Sequence, residues 1–276
     1  MKTRQRRKIR LAQNFLRSSA LAQRLIAMST IGLSDIVYEI GAGDGIITAA
    51  LARVAGRVVA IEKDPDLVRN LRQRCRPFHN VEIVEKDFLA YSFGTPEYKI
   101  FANIPYNRTS LILRKILYEQ SNLTESYLIL QKEAAKKFSG CPKETLVSIL
   151  AKPFFEFQIL FQLRRTDFWP VPKVDSVLLV IKRRKRPLVA ARDIAAYREF
   201  VRYGFGMWKP NLKLAFKTVF TYKQWKWLAR NLDFPLDATA TQLSVEQWLG
   251  LYHAFEALAR RELPSVPQVS PSRVVR

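Results

Sequence analysis

Between Ile36 and about Ile181, short β-branched and aliphatic runs alternate with longer segments of helical period, and this alternation constrains the fold more than any other feature of the chain. Parallel strands joined by crossover helices bury such a pattern. The candidate strands are Ile36 to Ile40, Arg57 to Ile61, Val81 to Val84, Tyr98 to Ala102, Ser126 to Leu130 and Val174 to Ile181. ITAALARVA supplies a helix after the first strand, and DPDLVRNLRQRC supplies another after the second, with Asp64 as cap and Pro65 in the first turn. FEFQILFQL and VDSVLLVIKRR read as an antiparallel pair added at one edge. The expectation is a doubly wound, mostly parallel α/β sheet.

After the run Lys182, Arg183, Arg184, Lys185, Arg186 and Pro187 the strand pattern stops. AAYREFVRYGF, PNLKLAFKTVF, KQWKWLARNL and SVEQWLGLYHAFEALARREL have helical period, and Ser244 with Gln247 forms a capping box. The division is therefore 1–182 for the sheet domain with its basic N-terminal tail, 183–261 for a small all-helical domain expected to bind a nucleic acid, RNA on the resemblance given below, and 262–276 for a Pro- and Ser-rich tail expected to be disordered. Trp225, Trp227 and Trp248 are expected as core anchors of the helical domain. Forty-six Lys and Arg against 24 Asp and Glu leave a net charge of +22, so a polyanion is the first partner to consider. Cys75 and Cys141 offer neither metal spacing nor a disulfide framework, so no metal is expected and a reducing cytoplasm fits. No apolar run reaches the roughly 18 residues of a membrane span, and the start MKTRQRRKIRLAQNF lacks a signal-peptide core. The expectation is a cytoplasmic monomer without a membrane partner.

The glycine loop Glu39-Ile40-Gly41-Ala42-Gly43-Asp44-Gly45 follows the first strand directly and opens a helix. Gly41 and Gly43 allow a tight turn and close approach of a ligand to the backbone. The spacing is not GxGxxG, which disfavours a nicotinamide cofactor. Glu62 ends the second strand, where a carboxylate can accept from ribose hydroxyls, and Asp87 and Asn103 end the third and fourth. Carboxyl ends are where open α/β sheets bind ligands.

Asn103-Ile104-Pro105-Tyr106 is the second motif. Pro105 stops the strand, so the Asn103 amide and the Ile104 carbonyl can accept from an exocyclic amine, while the Tyr106 ring can stack on a planar base. His79 and His253 lie outside every motif and are read as surface or packing residues.

Gln13-Asn14-Phe15-Leu16, the EIGAGDG loop, Glu62, Lys86 to Phe88, NIPYN at Asn103 to Asn107, Gln131 to Glu133 and Pro172 to Ser176 together resemble the ribosomal RNA adenine N6-methyltransferase superfamily over nearly the whole chain. Asp167-Phe168-Trp169-Pro170-Val171-Pro172, Gln224-Trp225, Leu228 to Arg230 and Val245 to Trp248 look more like the erythromycin-resistance (Erm) branch than the small-subunit dimethyladenosine transferases. Arg108 departs from both branches, which carry a small or aliphatic residue there.

The resemblance implies a Rossmann-like class I methyltransferase fold with S-adenosylmethionine as cofactor and S-adenosylhomocysteine as product. The implied cofactor-binding positions are Asn14, Leu16, Gly41, Gly43, Glu62, Asp87 and Asn103, and the catalytic ones Asn103, Ile104, Pro105 and Tyr106. The implied reaction is methylation at N6 of the macrolide-site adenine in the peptidyl-transferase loop of 23S rRNA, giving antibiotic resistance. A 16S rRNA dimethyladenosine transferase is the alternative. A non-catalytic RNA-binding or transcription-accessory protein of the same fold is the alternative from another class, and a DNA adenine methyltransferase fits less well because Ile104 stands where its first proline would be.

N6 of adenine is a poor nucleophile, so acceptors at Asn103 and Ile104 and alignment with the methyl group carry the chemistry without a strong base; positioning alone is worth roughly 7 to 11 kcal/mol. RNA phosphates are expected to meet Arg4, Arg6, Arg7, Lys8 and Arg10 of the tail, with Lys182, Arg183 and Arg184, while Phe15 and Arg108 lie closer to the target base.

Overall fold

The computed structural model describes residues 14–118 and 122–259. In chain order the first unit contains β1 (Phe15–Leu16), α1 (Ser19–Ala27), β2 (Ile36–Ile40), α2 (Ile46–Leu51), β3 (Arg57–Glu62), α3 (Pro65–Cys75), β4 (Val81–Glu85), β5 (Tyr98–Asn103), α4 (Thr109–Tyr118) and β6 (Leu123–Gln131). After α5 (Lys132–Ser139) and α6 (Leu146–Ala151) come β7 (Phe155–Leu163), β8 (Phe168–Trp169) and β9 (Ser176–Arg183). The expected strands are all present, several a residue or more longer than their apolar runs, because polar residues such as Glu62 and Asn103 complete their ends.

The seven-stranded sheet has the order β4-β3-β2-β5-β6-β9-β7. From β4 through β6 neighbours run parallel, and β9 is antiparallel to both β6 and β7, which gives the edge pair expected from the sequence. Val58, Ala60 and Ile61 of β3 and Ile100, Phe101 and Ala102 of β5 are fully buried, which explains their continuous apolar runs. The chain winds outward in opposite directions from β2 and β5, so the ends of these two strands border the crevice where such sheets take ligands. Asp64 caps α3 by accepting from the Asp66 N–H, with Pro65 at the first position, as its sequence requires.

The chain divides into two compact units, one up to Lys136 plus Phe155–Arg184, the other Lys137–Phe154 plus everything from Lys185. This differs from a single cut at 182: the segment 137–154 joins the helical unit. The reason is apolar. Ile149 and Leu150 of α6 sit in one core with Tyr197, Phe216, Trp225 and Trp248, and the Tyr197 hydroxyl donates to the Ile149 carbonyl at 3.0 Å.

The rest of the helical unit is α7 (Ile194–Gly206), α8 (Leu212–Ala215), α9 (Tyr222–Asn231) and α10 (Val245–Ala259). Ser244 and Gln247 form the expected capping box on α10, and Thr221 with Gln224 forms another on α9. Trp225 and Trp248 are core anchors, but Trp227 corrects the expectation because it is 63% exposed. Residues two apart on a helix point about 200° apart, so Trp225 and Trp227 cannot share a face. Among the described residues no helix is long and apolar enough to cross a membrane.

Candidate active site

Gly41, Gly43 and Gly45 all have positive φ, at 69°, 59° and 86°, a region that side chains disfavour. At Gly43 the constraint is doubled, because a Cβ would lie 2.9 Å from the Phe15 ring. The loop is tied to the next strand through Glu62, which is 3% exposed. Its Oε2 accepts from the Gly43 N–H at 2.9 Å, and its Oε1 accepts from the N–H groups of Lys63 at 2.8 Å and Asp64 at 2.9 Å. A carboxylate has about four acceptor positions, so Glu62 keeps about one for a ligand hydroxyl. Its first structural effect is to brace the loop.

Directly before the loop, Glu39 is 1% exposed and its Oε2 accepts from the Thr48 hydroxyl. Burial pushes its pKa up to about 8, against the Thr48 hydrogen bond and with help from the nearby carboxylates of Glu62 and Asp44. The sequence reading gave Glu39 no role of its own, since an acidic residue inside a strand does not announce its protonation state.

At the end of β5 the Asn103 Nδ2 donates to the Asn14 carbonyl at 2.6 Å. This fixes which way the amide faces, and among the described residues no donor reaches Oδ1. The Ile104 N–H donates to the Ile129 carbonyl at 2.9 Å, continuing the strand pairing, while no described donor reaches the Ile104 carbonyl. Asn14, Phe15, Gly41, Asn103, Ile104, Pro105 and Tyr106 line one cleft of about 360 Å³. The Tyr106 hydroxyl shares a 2.6 Å hydrogen bond with Ser176 Oγ, and burial raises its pKa. Ser176, the last residue of the Pro172 to Ser176 motif, anchors the ring that faces the cleft.

A second cleft of about 420 Å³ shares Gly41 and Pro105 with the first and is lined further by Glu62, Lys63, Asp87, Leu89, Arg108 and Ile112. Asp87 Oδ1 accepts from the Leu89 N–H at 3.0 Å, and Oδ2 accepts from Arg108 Nη1 at 2.9 Å with Lys63 Nζ 4.0 Å away. Partial burial works to raise the Asp87 pKa, but the Leu89 N–H and the Arg108 and Lys63 charges outweigh it and hold the carboxyl below its ordinary value. Two acceptor-rich clefts side by side across a glycine turn suit an extended ligand with a planar, polar end.

Phe15 and Leu16 owe their position to a contact far along the chain. In the two-stranded sheet Phe15 pairs with Trp169 and Leu16 with Phe168, and the Arg17 N–H donates to the Asp167 carbonyl at 2.9 Å. The Leu16 side chain is 4% exposed and packs into the core, so it lines neither cleft.

Three of the linker cations, Lys182, Arg183 and Arg184, are engaged within the chain. Lys182 pairs with Glu125 at 3.1 Å and Arg184 with Glu156 at 2.8 Å, while Arg183 donates to the Leu123 carbonyl and stacks 4.8 Å from the Phe155 ring centroid. Burial lowers the Arg183 pKa. Arg4, Arg6, Arg7, Lys8 and Arg10, and the 262–276 tail, lie outside the described residues.

A family model described as ribosomal RNA adenine dimethylase matches residues 4–257. The mycinamicin-resistance protein MyrB of Micromonospora griseorubida is 31% identical, with 92% of this chain and 81% of the relative covered. The ribosomal RNA small subunit methyltransferase A of Geobacter sulfurreducens is 34% identical over 73% of this chain and 77% of its own length. Among solved structures, that of the 23S rRNA methyltransferase ErmE superposes with a TM-score of 0.82 at 27% identity, covering 88% of this chain and 100% of that one.

Proposed function

The chain belongs to the ribosomal RNA adenine dimethylase family, and on that premise we propose that its target is an adenine of 23S rRNA, the macrolide-site adenine of the peptidyl-transferase loop, whose methylation confers macrolide-type resistance. It is an S-adenosylmethionine-dependent rRNA adenine methyltransferase. The choice of 23S is supported by the full-length likeness to ErmE and by the likeness to the resistance protein MyrB. The small-subunit relative supports 16S rRNA as a second reading.

The donor set fits the cofactor. Asp87 offers acceptor positions to the adenine amine, Glu62 keeps one for a ribose hydroxyl, and Asn14 and Gly41 line the clefts beside them, while Gly43 acts through its N–H on Glu62 and Leu16 lines neither cleft. When bound, S-adenosylmethionine supplies an electrophilic methyl group on a good leaving group.

The observation that carries the catalytic reading is the orientation of Asn103. Its Nδ2 is committed to Asn14, so Oδ1 and the Ile104 carbonyl are the two acceptors presented at one cleft. Together they accept hydrogen bonds from both N6–H groups of an adenine, which draws the nitrogen toward the tetrahedral form in which its lone pair is a nucleophile, and the surplus proton of the methylated nitrogen passes to water. Tyr106, restrained by Ser176, supplies a stacking surface for the flipped base, and Pro105 forms the wall between the two clefts. No side chain needs to act as a strong base.

Separated 23S and 16S rRNAs incubated with the enzyme and labelled S-adenosylmethionine, followed by mapping of the modified base, test the target. Label at a peptidyl-transferase-loop adenine is expected. Label confined to 16S rRNA would replace the reading with its alternative.

A further inference from the structure

The solvent face of α9 carries Lys223, Lys226, Trp227 and Arg230, spaced i, i+3, i+4 and i+7, so all four project from one side of one helix. Opposite them Trp225, Leu228 and Ala229 are buried, which fixes the rotation of the helix about its axis. Trp227 is 63% exposed and has no aromatic or cationic partner among the described residues. The three cations have no ion pair among the described residues, and α9 itself contains no acid; Asp233 and Asp237 lie beyond its C-terminus.

An exposed indole flanked by unpaired cations is unfavourable as a mere surface, because it leaves a large apolar ring in water and concentrates like charge. Both features become favourable with a flexible polyanion that carries planar bases. We propose that this face of α9 is a docking surface for unpaired RNA nucleotides, with one base stacked on Trp227 and flanking phosphates held by Lys223, Lys226 and Arg230. The four residues span about 10 Å along the helix, enough to reach the phosphates on either side of one base. The occupant is unpaired RNA because a duplex hides its base faces from a ring on a helix surface. The proposal rests on the RNA-modifying reading only for the source of that RNA, and it assigns a contact separate from the two clefts.

The test uses the full chain and a 23S rRNA fragment containing the peptidyl-transferase loop, together with an unstructured oligoribonucleotide. Trp227→Ala should weaken binding of both by roughly 5- to 160-fold, the range for one lost stacked base, and Trp227→Phe should recover most of it. Lys223→Gln, Lys226→Gln and Arg230→Gln combined should flatten the log–log salt slope of oligonucleotide binding by about 2, given about 0.7 per phosphate on a single strand. S-adenosylhomocysteine affinity and helical circular dichroism report folding. Parent-like affinity and salt slope in folded variants would overturn the proposal, as would a change confined to self-association or to acidic-peptide binding. The proposed 23S target fails separately, if the parent transfers no methyl group to 23S rRNA while oligonucleotide binding still tracks Trp227.

Discussion

The sheet unit and the helical unit bury different chemistry. Of the nine buried polar or charged residues among those described, Glu39, Thr48, Glu62, Thr109, Lys115, Glu125, Ser126 and Ser176 belong to the sheet unit, and Ser148 alone to the helical unit, where it completes a capping box. The helical core is instead aromatic, with Phe200, Phe216, Trp225, Trp248 and Tyr252 in mutual ring contact. Buried polar groups are costly unless bonded, so a unit that keeps them does so where a ligand must be held or a loop fixed. The proposed functions follow this division: methyl transfer in the clefts of one unit, and RNA docking on the surface of the other, whose interior is oily.

Trp248→Ala gives the largest expected effect on this contrast. It empties a fully buried site packed against Phe205 and Phe200 and should cost about 3–5 kcal/mol in denaturant unfolding, with cofactor affinity of the folded protein unchanged. A parallel loss of cofactor affinity, measured by calorimetry, would show that the units do not divide the work in this way.

Asn103→Ala comes next. It removes an acceptor in the reacting cleft and the tether to Asn14, and should lower single-turnover methyl transfer by roughly 10²- to 10³-fold while RNA affinity changes little. Near-normal turnover would remove Asn103 from the chemistry.

Much of this contrast was legible in the sequence and some was not. Continuous apolar runs with a polar residue at each end marked β3 and β5, and the Ser244 box marked α10, because both signals are local. The spacing of Trp225 and Trp227 held the answer to their opposite environments, since a helix cannot bury both. The transfer of 137–154 to the helical unit was hidden because α6 has the apolar pattern of any crossover helix, and only Tyr197 and Trp248 from far along the chain decide which core takes it. The Asp87–Arg108 pair was likewise invisible: Arg108 stood out as a departure, but its partner lies 21 residues away.

Glu39→Gln sharpens the comparison through pH. The folded carboxyl titrates at about 8 against an ordinary 4.5, so the folded state keeps a proton that the unfolded state has released across that window. Stability from this group therefore falls as pH rises from about 4.5 to about 8, by at most about 1.4 kcal/mol per pH unit. Glutamine keeps an acceptor for Thr48 and should flatten that slope in melting curves. An unaltered slope would assign it to another group.

The smallest effect is expected at Arg108. Its pairing with Asp87 is partly solvent-exposed, so Arg108→Ala should weaken cofactor binding by only roughly 0.2–1 kcal/mol, through looser orientation of the carboxylate. Reduced RNA affinity with unchanged cofactor affinity would move Arg108 to the target side of the loop.

The pairing of Phe15 with Trp169 sets an order of events during synthesis. The strand that places Asn14 and Phe15 against the glycine turn leaves the ribosome early, while its partner emerges roughly 150 residues later, about 8 to 30 seconds at usual elongation rates. Until then the first cleft lacks one wall. A nascent chain can by then carry the five parallel strands from β4 to β6, yet the segment that walls the first cleft gains its strand partner only when Phe168 and Trp169 have been translated, and β9 and β7 complete the sheet later still.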